Sequence, residues 1–497
     1  MFTDDISVVS VRDIFPNALV FFTEDGFAQT GGRFSLPLPI LLILQSINRY
    51  PITFRAAQIA PLSAQKRALA IAPLHLVSGS SHGCATDTRA GRKAAPVEGH
   101  MFMDKFLLFT PGPVNVAANL RVAISSEDIC HRETDFDTLL GSIEDKLLSL
   151  FQIEKRSRYR AVVITGSGTA ANEAMLSSVV GDGQVLILSN GEFGERLHKT
   201  SQIHNARTHL IEVPWGQAFD LDRIEAYLDV HKIDVIAMVH HETCSGMLNP
   251  LIGIGALAKA HNALFIVDGV SSVGAEPVNM ERCNIAFCSS SSSKAIGSYP
   301  GLSIVIGRRK HFEKLKHHKA KTTYLNLATF YEFLKSRSQT PNTPAIPLFF
   351  ALEQALSNLL AEGVENRFAA IRRRAEKLRC GMRKLNLQFL IDEKDMCCVL
   401  TTVRVPKSVD VTDLRRRLRE SAIIIYEGKG CFKDKVFQVG NIGEISDIDI
   451  AFFLRTLRDV LLASPTDRNI PVVPIRGAKS AALPLGGFDQ AALPVAV

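Results

Sequence analysis

From Arg160 onward, short apolar runs alternate with helical patterns, and this alternation restricts the fold more than any other feature of the chain. The runs lie at 160–164, 185–188, 208–213, 235–239 and 263–267, with one more at 302–307. Unbroken apolar runs of this length suit strands buried on both faces, as in a parallel sheet. Strands separated by helices close through right-handed crossovers. An α/β domain with a mostly parallel sheet is therefore expected. In such sheets, ligands gather at the carboxyl ends of the strands, so the residues that end each run deserve the closest reading.

The run at 263–267 stops at Asp268, and Lys294 stands twenty-six residues later, after Ser289-Ser290-Ser291-Ser292-Ser293. A lysine in a loop of small residues has room to bond an aldehyde. Pyridoxal 5′-phosphate needs such a lysine, together with an acid facing its pyridine nitrogen. The bland alternative is an ordinary strand end and a solvated lysine. Upstream, 160–164 feeds Thr165-Gly166-Ser167-Gly168-Thr169 and then a helix. Free amides and the helix dipole make that junction a phosphate cradle. Gly166-Ser167-Gly168-Thr169-Ala170-Ala171 also satisfies a dinucleotide fingerprint. That reading requires an acid at the tip of the next strand, where this chain has Ser189-Asn190. A single phosphate is the better fit.

Phe193, between Gly191 and Gly194, is suited to lie flat on an aromatic ligand. The run at 235–239 ends in His240-His241-Glu242-Thr243. Adjacent strand residues face opposite ways, so the two histidines are not expected to share a metal ion. His131-Arg132 reads either as a charged helix entrance or as an anion contact. The basic run 308–321 reads as a solvated helix face.

The 497 residues, 46% hydrophobic and 22% charged, have the composition of a globular protein with room for two or more domains. A net charge of +7 is mild for this length, and no aromatic-interleaved basic patch points to nucleic acid. Nine cysteines in neither disulfide nor metal spacing suit a reducing, cytoplasmic setting. The longest early apolar run, 36–47, contains two prolines and is too short to span a bilayer. Residues 48–100 are poor in acids, in the manner of a transit peptide, yet Asp4-Asp5 stand where such a peptide begins. The expected division is an extension without stable order over 1–102, a large domain over 103–350, a smaller α+β domain over 351–463 and a tail over 464–497.

Taken together and in this order, the motifs resemble the class V aminotransferases of fold type I, over roughly 105–462. Within that family the resemblance is strongest to enzymes that act on 2-aminoethylphosphonate and pyruvate, and weaker to the alanine:glyoxylate enzymes. It implies that Lys294 binds the cofactor aldehyde and shuttles the substrate proton, with Asp268 paired to the pyridinium nitrogen. Ser167, Gly168, Thr169 and Ser293 would hold the phosphate, Phe193 would stack on the ring, and Thr243 would approach the ring hydroxyl. Thr343 would reach the phosphate of a neighbouring subunit, which implies a homodimer. The family usually carries an arginine, used to grip the acidic group of the substrate, where this chain has Gln438. An amide can hydrogen-bond an anion but cannot neutralise it. Arg132 is then the first candidate for the missing cation and Lys429 the second. A lyase or desulfurase on the same fold is the rival reading. It needs a mobile cysteine, and Cys431 comes nearest.

Overall fold

The computed structural model describes residues 106–462 and, in a separate unit, the backbone of a short antiparallel hairpin, Ala28–Thr30 with Arg33–Ser35. The expectations for 464–497, and for 1–102 apart from that hairpin, lie outside the described residues. The main sheet has seven strands: β1 (Tyr159–Thr165), β2 (Val185–Ser189), β3 (Thr208–Glu212), β4 (Val235–Val239), β5 (Leu264–Asp268), β6 (Ile285–Ser291) and β7 (Leu302–Arg308). Their order is β1-β7-β6-β5-β4-β2-β3, and β7 alone runs antiparallel to its neighbours. Every residue of β2 and β4 is buried, which is why these segments are apolar without alternation.

One strand was hidden in the sequence. The serine run was expected to be a loop, but β6 continues through Ser289, Ser290 and Ser291, all buried. Serine has low strand preference because its hydroxyl competes for backbone partners. Here, Ser289 Oγ donates to Asn172 Oδ1 (2.6 Å), and just beyond the strand Ser292 Oγ donates to the Tyr299 carbonyl (2.6 Å). Small side chains, with Ser289 and Ser291 hydrogen-bonded and Ser290 Oγ left without a partner, allow the strand to run on beneath a helix. The loop proper starts at Ser292.

The helices that matter for the site are α1 (Thr134–Leu150), α2 (Gly168–Val179), α3 (Glu192–His204), α4 (Ile346–Glu362), α5 (Val364–Lys384), α6 (Val411–Glu420) and α7 (Asp447–Leu462). The largest core joins the sheet to α1, α2 and the Phe349, Leu352, Leu356 and Leu359 face of α4. A second core packs Leu378 and Met382 of α5 against α6, α7 and a small antiparallel sheet of β8 (Leu400–Arg404), β9 (Tyr426–Glu427) and β10 (Val436–Gly440).

Two segments pack otherwise than the sequence division suggests. Helix α4, which ends before Gly363 (φ +87°), buries its apolar face in the large core. Residues 107–109, assigned above to the large domain, belong with the small one. There Leu107 and Leu108 pair with Ile423 and Ile424, and Phe109 stacks on Phe453 at 4.5 Å. The lobes are also tied by Glu276, whose carboxylate accepts the Cys398 amide at 2.7 Å. No helix among the described residues is long and apolar enough to cross a membrane.

Candidate active site

A narrow cleft opens at the carboxyl ends of β4 and β5 and the start of α2. The strand register puts Asp268 level with Val239 on one side and Ser289 on the other. At the end of β1, the chain turns through Ser167 into α2, whose first amides have no intrahelical acceptor. A side chain at Gly168 would bring Cβ to 2.7 Å from Val270 Cγ1, so only glycine allows the helix to start this close to the strand tips. Ser167 and Thr169 are exposed at this turn, and Ser167 makes no capping bond with its own helix. Ser291 lies beside Gly168, and Ser293 Oγ is 3.0 Å from Ser291 Oγ. Free amides at the start of a helix suit an anion.

Asp268 is buried in the wall of the cleft. Its Oδ2 accepts from Asn172 Nδ2 at 2.6 Å and its Oδ1 from the Val270 amide at 3.0 Å. Asn172 is held in turn by Ser289, so the amide cannot rotate away. Burial pushes the Asp268 carboxyl up, while these hydrogen bonds and the positive charges of Arg196 and Lys294 pull it down. Lys294 follows the serine loop, and its Nζ donates to the Pro111 carbonyl at 2.9 Å. Burial lowers this amine to about 8; Asp268 opposes the shift and Lys429 adds to it. A lysine in this state is neutral often enough to act as a nucleophile near neutral pH.

Phe193, in the first turn of α3, lines the cleft, with the Arg196 guanidinium 4.7 Å from its ring centre. The turn is capped from a distance. Glu242, wholly buried, accepts the amides of Phe193 (3.3 Å), Gly194 (3.1 Å) and Cys244 (3.3 Å). Burial raises the Glu242 carboxyl to about 7, against the pull of these bonds. Thr243 lines the cleft and donates to Ser271 Oγ at 3.1 Å. His240 and His241 go to different partners, Ser272 Oγ and the Ser271 carbonyl, and burial lowers both to about 3. His241 faces the cleft, and its buried Nε2 has no partner.

Six residues singled out in the sequence do not line this cleft: Ser167 and Ser293, described above, and four more. Gln438 is buried behind the Thr243 loop, with Nε2 donating to the carbonyls of Thr243 (2.7 Å) and Cys244 (3.1 Å). Its amide nitrogen is committed to the fold. The Arg132 guanidinium donates to the carbonyls of Thr340 (2.7 Å) and Pro341 (3.0 Å) and packs on Phe333. It thus braces the segment that carries Thr343, which is exposed. Lys429 is half-exposed, with Nζ 3.8 Å from Glu192 Oε2. Sequence reading also passed over Asn172, Arg196 and Ser271, and weighed His241 only as a metal ligand. Asn172 could have been found as the polar residue one helical turn after Gly168. Ser271 follows Asp268 by three residues and is recognisable only from the folded loop.

The family model described as aminotransferase class V matches residues 122–445. A 2-aminoethylphosphonate–pyruvate transaminase of Phocaeicola vulgatus is 30% identical over 364 residues, covering 72% of this chain and 99% of that one. An uncharacterised aminotransferase of Methanocaldococcus jannaschii is 31% identical over 363 residues, covering 72% and 92%. The crystal structure of an alanine–glyoxylate aminotransferase from Nostoc sp. superimposes with a TM-score of 0.69 at 29% identity, covering 74% of this chain and 98% of that one. The fold is thus that of the fold type I pyridoxal phosphate enzymes. Within it, the chain belongs to the class V aminotransferases and is an enzyme of that pyridoxal phosphate-dependent class.

The cleft fits that cofactor. A neutralisable lysine, a pinned acid, an amide cradle and the unpartnered His241 Nε2 supply donors and acceptors around a space lined by Phe193 and Val270.

Proposed function

We propose that this enzyme moves an amino group from a small anionic amine, with 2-aminoethylphosphonate as the leading donor, to pyruvate, giving phosphonoacetaldehyde and alanine. The observation that carries the reading is the convergence of Lys294, Asp268 and Phe193 on one cleft beside the α2 amides. Pyridoxal phosphate, when bound, supplies an electron sink next to the reacting carbon. Lys294 would hold the cofactor and afterwards carry the proton to and from the substrate Cα. Asp268, kept in place by Asn172 and the Val270 amide, would keep a proton on the ring nitrogen. Ser167, Gly168, Thr169 and Ser293 would hold the phosphate, Phe193 would cover the ring, and Thr243 would meet the ring hydroxyl. Thr343, exposed and braced by Arg132, would complete the phosphate site of a second subunit in a homodimer. The eight described cysteines are free thiols, in keeping with a cytoplasmic enzyme.

The donor's anionic group needs a cation, since an unpaired charge in a closed site is costly. Lys429 is the better candidate than Arg132. It is held only loosely by Glu192, and its charge is felt by Lys294. The alternative, an alanine- or serine-to-glyoxylate enzyme, draws support from Gln438 at the arginine position. A desulfurase is disfavoured because Cys431 does not line the cleft and burial drives the Cys244 thiol far above its usual range. Purified holoenzyme mixed with 2-aminoethylphosphonate, alanine or serine should convert its cofactor to the amine form. Conversion by the phosphonate, regenerated by pyruvate, supports the reading. Conversion only by alanine or serine replaces it with the alternative.

A further inference from the structure

A second cavity, of about 390 Å³, lies at the other end of β1 and β7. A strand rises about 3.3 Å per residue, so Tyr159 at the start of β1 is roughly 20 Å from the Thr165 end that leads to the cleft. Arg308, the last residue of β7, is the direct antiparallel partner of Tyr159. Residues so paired project from the same face of a sheet. The wall is completed by Ser157, Arg158, Arg309, Lys310, Glu281 and Glu313.

The charges in this wall do not balance. Glu313 is engaged by Arg309 Nε (3.3 Å) and by the Tyr331 hydroxyl (3.2 Å). Arg158, Arg308 and Lys310 make no ion pair among the described residues, and Glu281 alone faces them. Tyr159, 1% exposed, lies with its hydroxyl beside the Arg308 guanidinium, and neither that hydroxyl nor the buried Nε of Arg308 has another partner. Buried charged donors are nearly always satisfied, so a guanidinium left with a phenol alone on the wall of a cationic cavity points to a ligand. The basic run that reads in the sequence as a solvated helix face is here a four-residue helix, Arg309–Phe312, followed by a short turn, Leu315–His317. Arg309, partly buried, and Lys310, exposed, line the cavity.

We infer that this cavity is a second binding site, remote from the transamination cleft, which takes the phosphoryl group of a small phosphorylated molecule. Two guanidinium forks and an ammonium, one fork backed by the Tyr159 phenol, offer donors from several directions, as a three-oxygen phosphoryl group requires and a carboxylate does not. The volume lies within the range of small-molecule sites, so an organic phosphate or a diphosphate suits it better than a bare inorganic ion.

Calorimetric titration of the holoenzyme, its cofactor fixed covalently by borohydride so that the phosphate cradle is filled, tests this directly. The probes are pyrophosphate, ADP, inorganic phosphate and citrate. Pyrophosphate and ADP should bind, inorganic phosphate more weakly, and citrate more weakly than pyrophosphate. Arg308→Gln should weaken pyrophosphate binding by about tenfold or more, the scale of a charge-assisted pair. Tyr159→Phe, which keeps the ring in the core, should weaken it by about two- to fivefold, the scale of one neutral hydrogen bond. No heat with either diphosphate, unchanged affinity in both variants, or a preference for citrate would each overturn the assignment.

Discussion

Asp268 and Gln438 are both buried polar residues near one cleft, and they are held in opposite ways. The Asp268 carboxylate is gripped from behind by Asn172 and the Val270 amide, yet still lines the cleft. The Gln438 amide nitrogen is turned inward and spent on the carbonyls of Thr243 and Cys244. One residue is buttressed so that it can act on a ligand; the other is itself the buttress of the loop that carries Thr243. The Asp268 side of the cleft thus leaves a buried acid open to a ligand, while Gln438 spends its amide nitrogen inside the protein.

The comparison would break most plainly at Lys294. Lys294→Ala should abolish transamination and the absorbance of bound cofactor while leaving the fold intact by circular dichroism. Substantial turnover by the purified variant would remove this lysine from the reaction. Asn172→Leu probes the buttress itself. Losing a charge-assisted hydrogen bond of about 1.5–3 kcal/mol should lower kcat by about ten- to a hundredfold, with Thr243 and Gln438 untouched. An unchanged kcat would mean that Asp268 needs no support from behind.

At the other side of the cleft, effects should be smaller because the cation is exposed. Lys429→Ala should raise KM for the anionic amine by about two- to fivefold, the scale of a partly solvated charge pair, and leave cofactor affinity unchanged. Arg132→Ala should instead loosen the 340–341 segment, and be seen as weaker assembly on light scattering. A KM effect confined to Arg132→Ala would reverse this assignment.

The pH dependences are gentler still. The cofactor-free enzyme should capture pyridoxal phosphate faster as pH rises through about 8, where Lys294 loses its proton and its nitrogen becomes nucleophilic. Stopped-flow absorbance would follow this, and a pH-independent rate would count against a lowered lysine. His240 acts on stability alone. Burial holds it neutral to about 3, whereas the unfolded chain protonates it near 6.5, so below that pH the unfolded state binds more protons. Its contribution should therefore shrink as pH falls from about 6.5 toward 3. Thermal melts of wild type and His240→Asn between pH 7 and pH 5 should converge toward the acid end.

Much of this protein could be read without coordinates. Apolar runs at 185–188, 235–239 and 263–267 fell within a residue of strands β2, β4 and β5, because a strand buried on both faces leaves an uninterrupted signature. Glycine at 168 announced the turn into α2, since no other residue tolerates Val270 so close. The lysine and the aspartate were legible because each ends a local pattern. Strand β6 was not, because serines carry no strand signal until the hydroxyls find partners on other elements. The membership of residues 107–109 and of α4 in their respective cores was equally hidden, because apolar patterning reveals that a face is buried and not against what.

The roles of single polar groups depended most on the tertiary structure. Gln438 looked available and is committed, Arg132 looked like a substrate contact and braces a loop, and Asn172 looked ordinary and fixes Asp268. A residue's type states which hydrogen bonds it can make. Only the folded chain decides whether those bonds are spent inside the protein or left for a ligand, because partners separated by tens or hundreds of residues must first be brought within about 3 Å.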